Sequence, residues 1–285
     1  MRSMLFVPGD SPRKFEKAAQ GAADTLILDL EDSIVPEKKD EARALTSAML
    51  QAPRTAQQRY VRVNALDTGR TLGDLAAVMP AAPDGIVLPK SRGGDDVRTL
   101  ALWLDAFEAA AALVGTTRIV VVATETAGSM FGLGSYQDCS PRLSGLMWGA
   151  EDLAASLGAT ENRNGGSLHS PYRLARDLCL MGAAAAGVTA IDAVYTDIDN
   201  LAGLEDEARA ARRDGFGAKA LIHPKQVDIV NAAFAPTAEE RAWAEQVVAA
   251  FAANPDAGTL RLDGRMIDRP HLRAAEKVLG LSPRR

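Results

Sequence analysis

The chain has 285 residues, 47% hydrophobic and 24% charged, ample for a large buried core. Thirty-two Lys and Arg against 37 Asp and Glu leave a net charge of −5, without the basic footprint that a nucleic-acid partner requires. No apolar run reaches the roughly 18 residues of a membrane span, and the N-terminal stretch lacks the apolar region of a secretory signal. Two cysteines, Cys139 and Cys179, have no metal-type spacing; they favour a reducing cytoplasm over a disulfide framework.

In chain order, short β-rich apolar runs alternate with longer helical stretches. The runs cover 3–7, 24–30, 59–63, 85–89, 118–124, 144–149, 190–195 and 218–223. Most are continuously apolar, as parallel strands covered on both faces should be. Helical spacing marks 11–22, 36–50, 101–115, 172–187 and 204–215, with Ser11 and Pro12 as the cap and first-turn pair of the first helix. Eight repeats predict an α/β fold, a (β/α)8 TIM barrel over 1–230. The rival, an open doubly wound sheet, lacks a GxGxxG fingerprint after the first run. Residues 231–285 form a C-terminal helical extension: a helix over 238–253, a loop, a short extended piece, a turn at Asp263-Gly264 and a last helix beginning near Pro270.

A barrel keeps its chemistry at the C-terminal ends of its strands. At or just past the ends of the runs stand Asp10, Asp29, Glu31-Asp32, Arg62, Asn64, Lys90, Glu125, Glu151-Asp152, Asp197, His223 and Lys225. Glu125 and Asp152 come from neighbouring strands, and with no Cys/His cluster they favour a hard cation, Mg²⁺ first and Mn²⁺ second. Either residue alone also reads as a helix cap or a barrel ion pair. Arg62 suits a bidentate hold on a carboxylate or enolate oxygen, or equally a structural ion pair with Asp29, Glu31 or Asp32. Asp268, read from its surroundings, caps the last helix. His223 suits a barrel-closing hydrogen bond, and His169 and His271 stand out for nothing. No histidine neighbours a Ser or Cys nucleophile, so a hydrolase triad finds no support.

The segments RSMLFVPGDSPRKFEKA, DTLILDLEDSIVPEKKDEAR, VRVNALDT, GIVLPK, ATETAGSM, LMWGAEDLAASLGA, AIDAVYTDIDNLAGLEDEARAARRDGFGAKALIHPKQ and GRMIDRPHLRAAE run through nearly the whole chain. Together they resemble the citrate lyase β-subunit-like branch of the HpcH/HpaI aldolase family, which includes malyl-CoA and citramalyl-CoA lyases. The resemblance implies a Mg²⁺-dependent barrel that makes or breaks a carbon–carbon bond next to an acyl thioester. It puts the metal ligands on Glu125 and Asp152 and the substrate-binding arginine on Arg62. It makes Glu31 and Asp32 lining residues that hold the metal's waters, and brings Arg13 and Lys14 to the nucleotide part of an acyl-CoA. In the CoA lyases the aspartate of a GxMxDxP segment closes over a neighbouring subunit's site as acid/base; here that segment is GRMIDRP and the aspartate Asp268. The implied assembly is a homotrimer, with the extension as lid or oligomer contact.

The expected products are a 2-oxo acid, such as glyoxylate, pyruvate or oxaloacetate, and an acyl-CoA. Three alternatives stay open: a malyl-CoA-type thioesterase using the same site, a citrate lyase β subunit acting on a carrier-bound citryl group, and a non-catalytic metabolite-binding barrel.

Overall fold

The structure is a computed structural model and describes residues 1–109 and 114–281. The chain divides into two compact units, Met1–Phe234 and Ala235–Arg285.

The first unit runs β1 (Ser3–Pro8), α1 (Pro12–Ala19), β2 (Thr25–Asp29), α2 (Lys39–Gln51), β3 (Gln58–Arg62), α3 (Thr71–Val78), β4 (Gly85–Leu88), α4 (Gly94–Ala109), β5 (Arg118–Val122), β6 (Leu143–Met147), α5 (Glu151–Leu157), β7 (Arg163–Asn164), β8 (Ser167–Leu168), α6 (Ser170–Ala186), β9 (Thr189–Asp192), α7 (Leu201–Asp214), β10 (Ala218–Leu221) and α8 (Val227–Ala233). Eight of these strands pair in parallel into a closed barrel, in the order β1-β10-β9-β6-β5-β4-β3-β2. This is the (β/α)8 barrel the alternating runs imply.

Side chains alternate between two layers. Met4, Ile27, Tyr60, Val87, Val120, Met147, Ile191 and Ala220 fill the barrel interior. Their neighbours, among them Leu5, Leu26, Leu28, Val61, Ile86 and Val121, face outward into the layer shared with the helices.

Several expectations needed correction. Ser11 precedes α1, but its side chain makes no capping bond, leaving Pro12 as the start signal. Of the helix expected over 101–115, residues 110–113 lie outside the described residues. No α-helix lies between β5 and β6 among the described residues; two 3-10 turns, Gly128–Phe131 and Leu133–Tyr136, take that place. Glycines break the helical pattern there, and Gly132 is required: a Cβ on it would stand 1.9 Å from the Arg92 carbonyl oxygen. After β6 comes the short helix α5 and an antiparallel β7–β8 pair that the sequence pattern does not reveal.

The second unit contains α9 (Ala238–Ala253), the antiparallel pair β11 (Thr259–Leu262) and β12 (Arg265–Asp268), and α10 (Arg269–Val278). Its own core holds Ala244, Val247, Phe251, Ile267 and Ala275. The turn at Asp263-Gly264 thus joins two strands, where the sequence suggested one extended piece.

Candidate active site

The barrel's alternation sets the site. Met4, Ile27 and Tyr60 point inward, so Phe6, Asp29 and Arg62, two residues further along their strands, form the next interior layer. Asp29 and Arg62 are register partners across β2 and β3. Arg62 Nε and Nη2 donate to the two Asp29 oxygens at 2.7 and 2.8 Å, and its guanidinium lies 4.8 Å from the Phe6 ring centre. The amides of Glu31 and Ser33 also donate to Asp29. Burial opposes both charges, but each outweighs that cost for the other. Asp29 stays below its ordinary value and Arg62 above its own.

The bidentate fork is therefore spent on Asp29, the structural ion pair that the sequence allows equally with a hold on a substrate oxygen. That pairing uses one edge of the guanidinium. Its Nη1 is 3.0 Å from Glu31 Oε2 and 3.8 Å from Asp32 Oδ2. This outer edge keeps donors that can meet another oxygen.

Lys90, just past β4, completes the cluster. The sequence shows it at a strand end but gives it no role. Its φ is +52°, a left-handed conformation uncommon outside glycine. That turn aims its amide at Glu125 Oε2, 2.5 Å away. Its ammonium donates to Glu31 Oε1 and lies 3.3 Å from Asp152 Oδ1 and 3.5 Å from Asp32 Oδ1. Glu125 is buried beyond β5, whereas Asp152 opens α5 half-exposed. Gly149 lets the chain after β6 pass close to Glu125: a Cβ there would sit 3.0 Å from Glu125 Cγ. The turn leading to Asp152 is anchored where Trp148 Nε1 donates to Asp192 at 2.7 Å.

The carboxylates strain against one another. Burial pushes Glu125 up to about 8; Asp152 and Glu31 add to this, while the Lys90 amide and Arg62 oppose it. Burial also raises Glu31, against Arg62 and Lys90. Glu31 Oε2 is buried without an aligned hydrogen-bond donor among the described residues. Such a crowd suits a divalent cation, whose charge would relieve the repulsion. Among the described residues no three His, Cys, Asp or Glu groups form a ready ligand cage. A hard cation held by the Glu125 and Asp152 oxygens and keeping its waters needs none, so the donor set fits Mg²⁺.

Arg13 and Lys14 are exposed on the first turn of α1, and among the described residues neither forms an ion pair with the cluster. His223 does not close the barrel: its Nδ1 accepts the Lys225 amide and caps the 3-10 turn Pro224–Gln226. In the second unit Asp268 caps α10, accepting from the His271 amide. His271, unremarkable in sequence, brings Nδ1 to 2.5 Å from Asp268 Oδ1. The His271 hydrogen bond holds Asp268 below its ordinary value.

A closed parallel barrel with acidic groups from β2, β5 and β6 gathered around one lysine and one arginine defines an acidic-rim (β/α)8 class. Within that class the match is specific: the family model for HpcH/HpaI aldolase/citrate lyase covers residues 2–224, and the chain belongs to this family. A citrate lyase subunit beta-like protein of Mycobacterium tuberculosis is 38% identical over 276 residues, 96% of this chain and 93% of that protein. A (3S)-malyl-CoA thioesterase of Cereibacter sphaeroides is 37% identical over 286 residues, 98% of this chain and 93% of that protein. The crystal structure of CitE from Mycobacterium tuberculosis with magnesium, acetoacetate and coenzyme A superposes with a TM-score of 0.77 at 34% identity, covering 98% of this chain and 97% of that one.

Proposed function

We propose that the chain is a Mg²⁺-dependent carbon–carbon lyase that cleaves or forms a β-hydroxyacyl thioester, of the malyl-, citramalyl- or citryl-CoA type. Its products are a 2-oxo acid and an acyl-CoA. The observation that carries this reading is the convergence of Glu31, Asp32, Glu125 and Asp152 on Lys90, beside Arg62. The relative bound to magnesium, acetoacetate and coenzyme A supports the ligand class.

Glu125 and Asp152 would hold the metal, which supplies Lewis acidity at the hydroxyl and keto oxygens. In cleavage the β-hydroxyl loses its proton, the carbon–carbon bond breaks, and its electron pair passes into the thioester enolate. The outer edge of Arg62 faces a substrate carboxylate or the developing enolate oxygen, where a fixed cation counts most in a water-poor site. Asp268 shuttles the proton at the acetyl-derived carbon: in cleavage the enolate carbon gains through it the proton that the β-hydroxyl lost, and in condensation the carboxylate takes that proton up. Glu31 and Asp32 line the site and hold water, and Arg13 and Lys14 meet the nucleotide end of the thioester. Residues 1–230 form the catalytic barrel. Residues 231–285 act as lid and contact in a homotrimer, each supplying Asp268 to a neighbouring protomer. Among the described residues no helix is long and apolar enough to cross a membrane. Cys139 and Cys179 are both buried and free, which supports a cytoplasmic setting.

A second reading has its own support in the thioesterase relative: water attacks the thioester carbonyl and releases the hydroxy acid and free CoA. Incubation with Mg²⁺ and malyl-, citramalyl- or citryl-CoA, with products identified by mass, separates the two. A 2-oxo acid plus acyl-CoA supports the lyase. Free CoA with intact hydroxy acid supports the thioesterase, and turnover of none of these substrates contradicts both.

A further inference from the structure

Lys39 opens α2, yet its ammonium does nothing for that helix. A cation at a helix N-terminus opposes the helix dipole, and burying an ammonium is costly unless every N–H is matched. Here Lys39 is only 8% exposed. Its Nζ donates to the carbonyls of Leu30 and Glu31, both at 2.7 Å, and to Asn64 Oδ1 at 2.8 Å. Three donors meet three acceptors, so the group is saturated.

Those acceptors lie beyond the ends of two neighbouring strands. Leu30 and Glu31 follow β2 and lead to Glu31's carboxylate; Asn64 follows β3, two residues past Arg62. Asn64 is itself fixed. Its amide and side chain donate to Asp74 Oδ2 at 2.8 and 2.7 Å, its carbonyl accepts from Thr71, and Arg43 holds the other Asp74 oxygen. The backbone adds one further tie across the same seam, from the Leu30 amide to the Arg62 carbonyl. Lys39 thus ties together the two segments that carry the Glu31–Arg62 contact.

We infer that Lys39 is a positioning residue: its ammonium locks the β2 and β3 exits together and so fixes the outer edge of Arg62 relative to Glu31. The inference rests on the reading of that edge as the site for a substrate oxygen. A displacement of about 1 Å at such a contact can cost about 100-fold in rate.

The test is Lys39→Met, which keeps the length and the apolar stem and removes all three donors. Hydrogen exchange at the Leu30 and Glu31 amides should quicken by about tenfold or more, while amides of β4–β6 keep their rates. Pyruvate, the probe for a 2-oxo acid, should bind about tenfold more weakly, with Mg²⁺ affinity within about twofold of wild type. Unchanged exchange at Leu30 and Glu31, uniformly faster exchange around the barrel, or equal losses for pyruvate and Mg²⁺ would overturn the inference. Should Lys39→Met fail to fold, Asn64→Ala removes one acceptor and keeps the backbone tie to Asp74; it should shift the same readouts in the same direction by about threefold, and no shift overturns the inference. If wild type binds none of pyruvate, glyoxylate and oxaloacetate, the lyase reading fails, while the exchange arm still decides the role of Lys39.

Discussion

Two groups of buried charges lie one layer apart in this barrel and are built on opposite principles. The outer one sits between strands and helices. Lys219 Nζ donates to Asp192 at 2.7 Å, to the Ala193 carbonyl at 2.8 Å and to Glu207 at 2.8 Å. Asp192 takes further bonds from Trp148 and Arg176. Burial works against both charges, but the partners win: Asp192 is held below its ordinary value and Lys219 above its own. The inner cluster, at the rim, has the same residue types and a surplus of carboxylates. Glu125 is driven up to about 8 by burial and like charge, and Lys90 adopts a left-handed backbone to reach it. A satisfied cluster holds the fold; a crowded one has the donor set of a cation and substrate site.

The comparison breaks if rim residues prove structural or outer residues prove catalytic. The largest effect expected is from Asp268→Ala, which should lose about 10²–10⁴-fold in carbon–carbon bond chemistry. Binding of Mg²⁺ and pyruvate should survive. Mixing it with inactive Glu125→Gln chains under subunit exchange should restore part of the activity, because the proposed homotrimer would then contain some intact sites. Verified mixed trimers without recovery would place Asp268 outside a shared site.

Arg62→Lys comes next. The lysine cannot span Asp29 and still present an outer edge, so kcat/KM should fall about 100-fold with the fold intact. Steady-state kinetics beside circular dichroism check this. Lys219→Met should do the reverse: removing one partner of a buried pair costs about 3–5 kcal/mol in urea unfolding, with kcat of the folded enzyme within about twofold of wild type.

The smallest effect lies at a third cluster, far from any chemistry. Glu108 accepts from Arg142 Nη2 at 2.6 Å and from the Gly115 and Thr117 amides at 2.6 and 2.7 Å. Burial opposes its charge, yet these donors hold it down to about 2 from an ordinary 4.5. A depressed carboxyl contributes stability that is fully present above its unfolded value and is lost as pH falls toward the folded one. Wild type should therefore lose stability between about pH 4.5 and about pH 2, and Glu108→Gln should start lower and show a flatter slope there.

Much of this was legible in the sequence for a physical reason. Barrel strands are covered on both faces, so continuous runs such as 24–30 and 118–124 declare them, and whatever follows such a run lies at the rim. Charge partners are legible only as alternatives. VRVN leaves Arg62 to a substrate oxygen or to Asp29, Glu31 or Asp32, because the choice depends on a register between strands 33 residues apart in sequence. Lys39 falls among the several charges of the helix over 36–50, and nothing in the sequence separates it from them. The β7–β8 pair escaped because two-residue strands carry no alternation, although Gly165 and Gly166, both at positive φ, mark its turn.

The central claim is that the crowded rim is a divalent-cation site. Calorimetric titration of Mg²⁺ into wild type, Glu125→Gln and Lys219→Met tests it most directly. The account predicts one site per chain in wild type and in Lys219→Met, and no measurable site in Glu125→Gln. Equal Mg²⁺ binding by wild type and Glu125→Gln would contradict it.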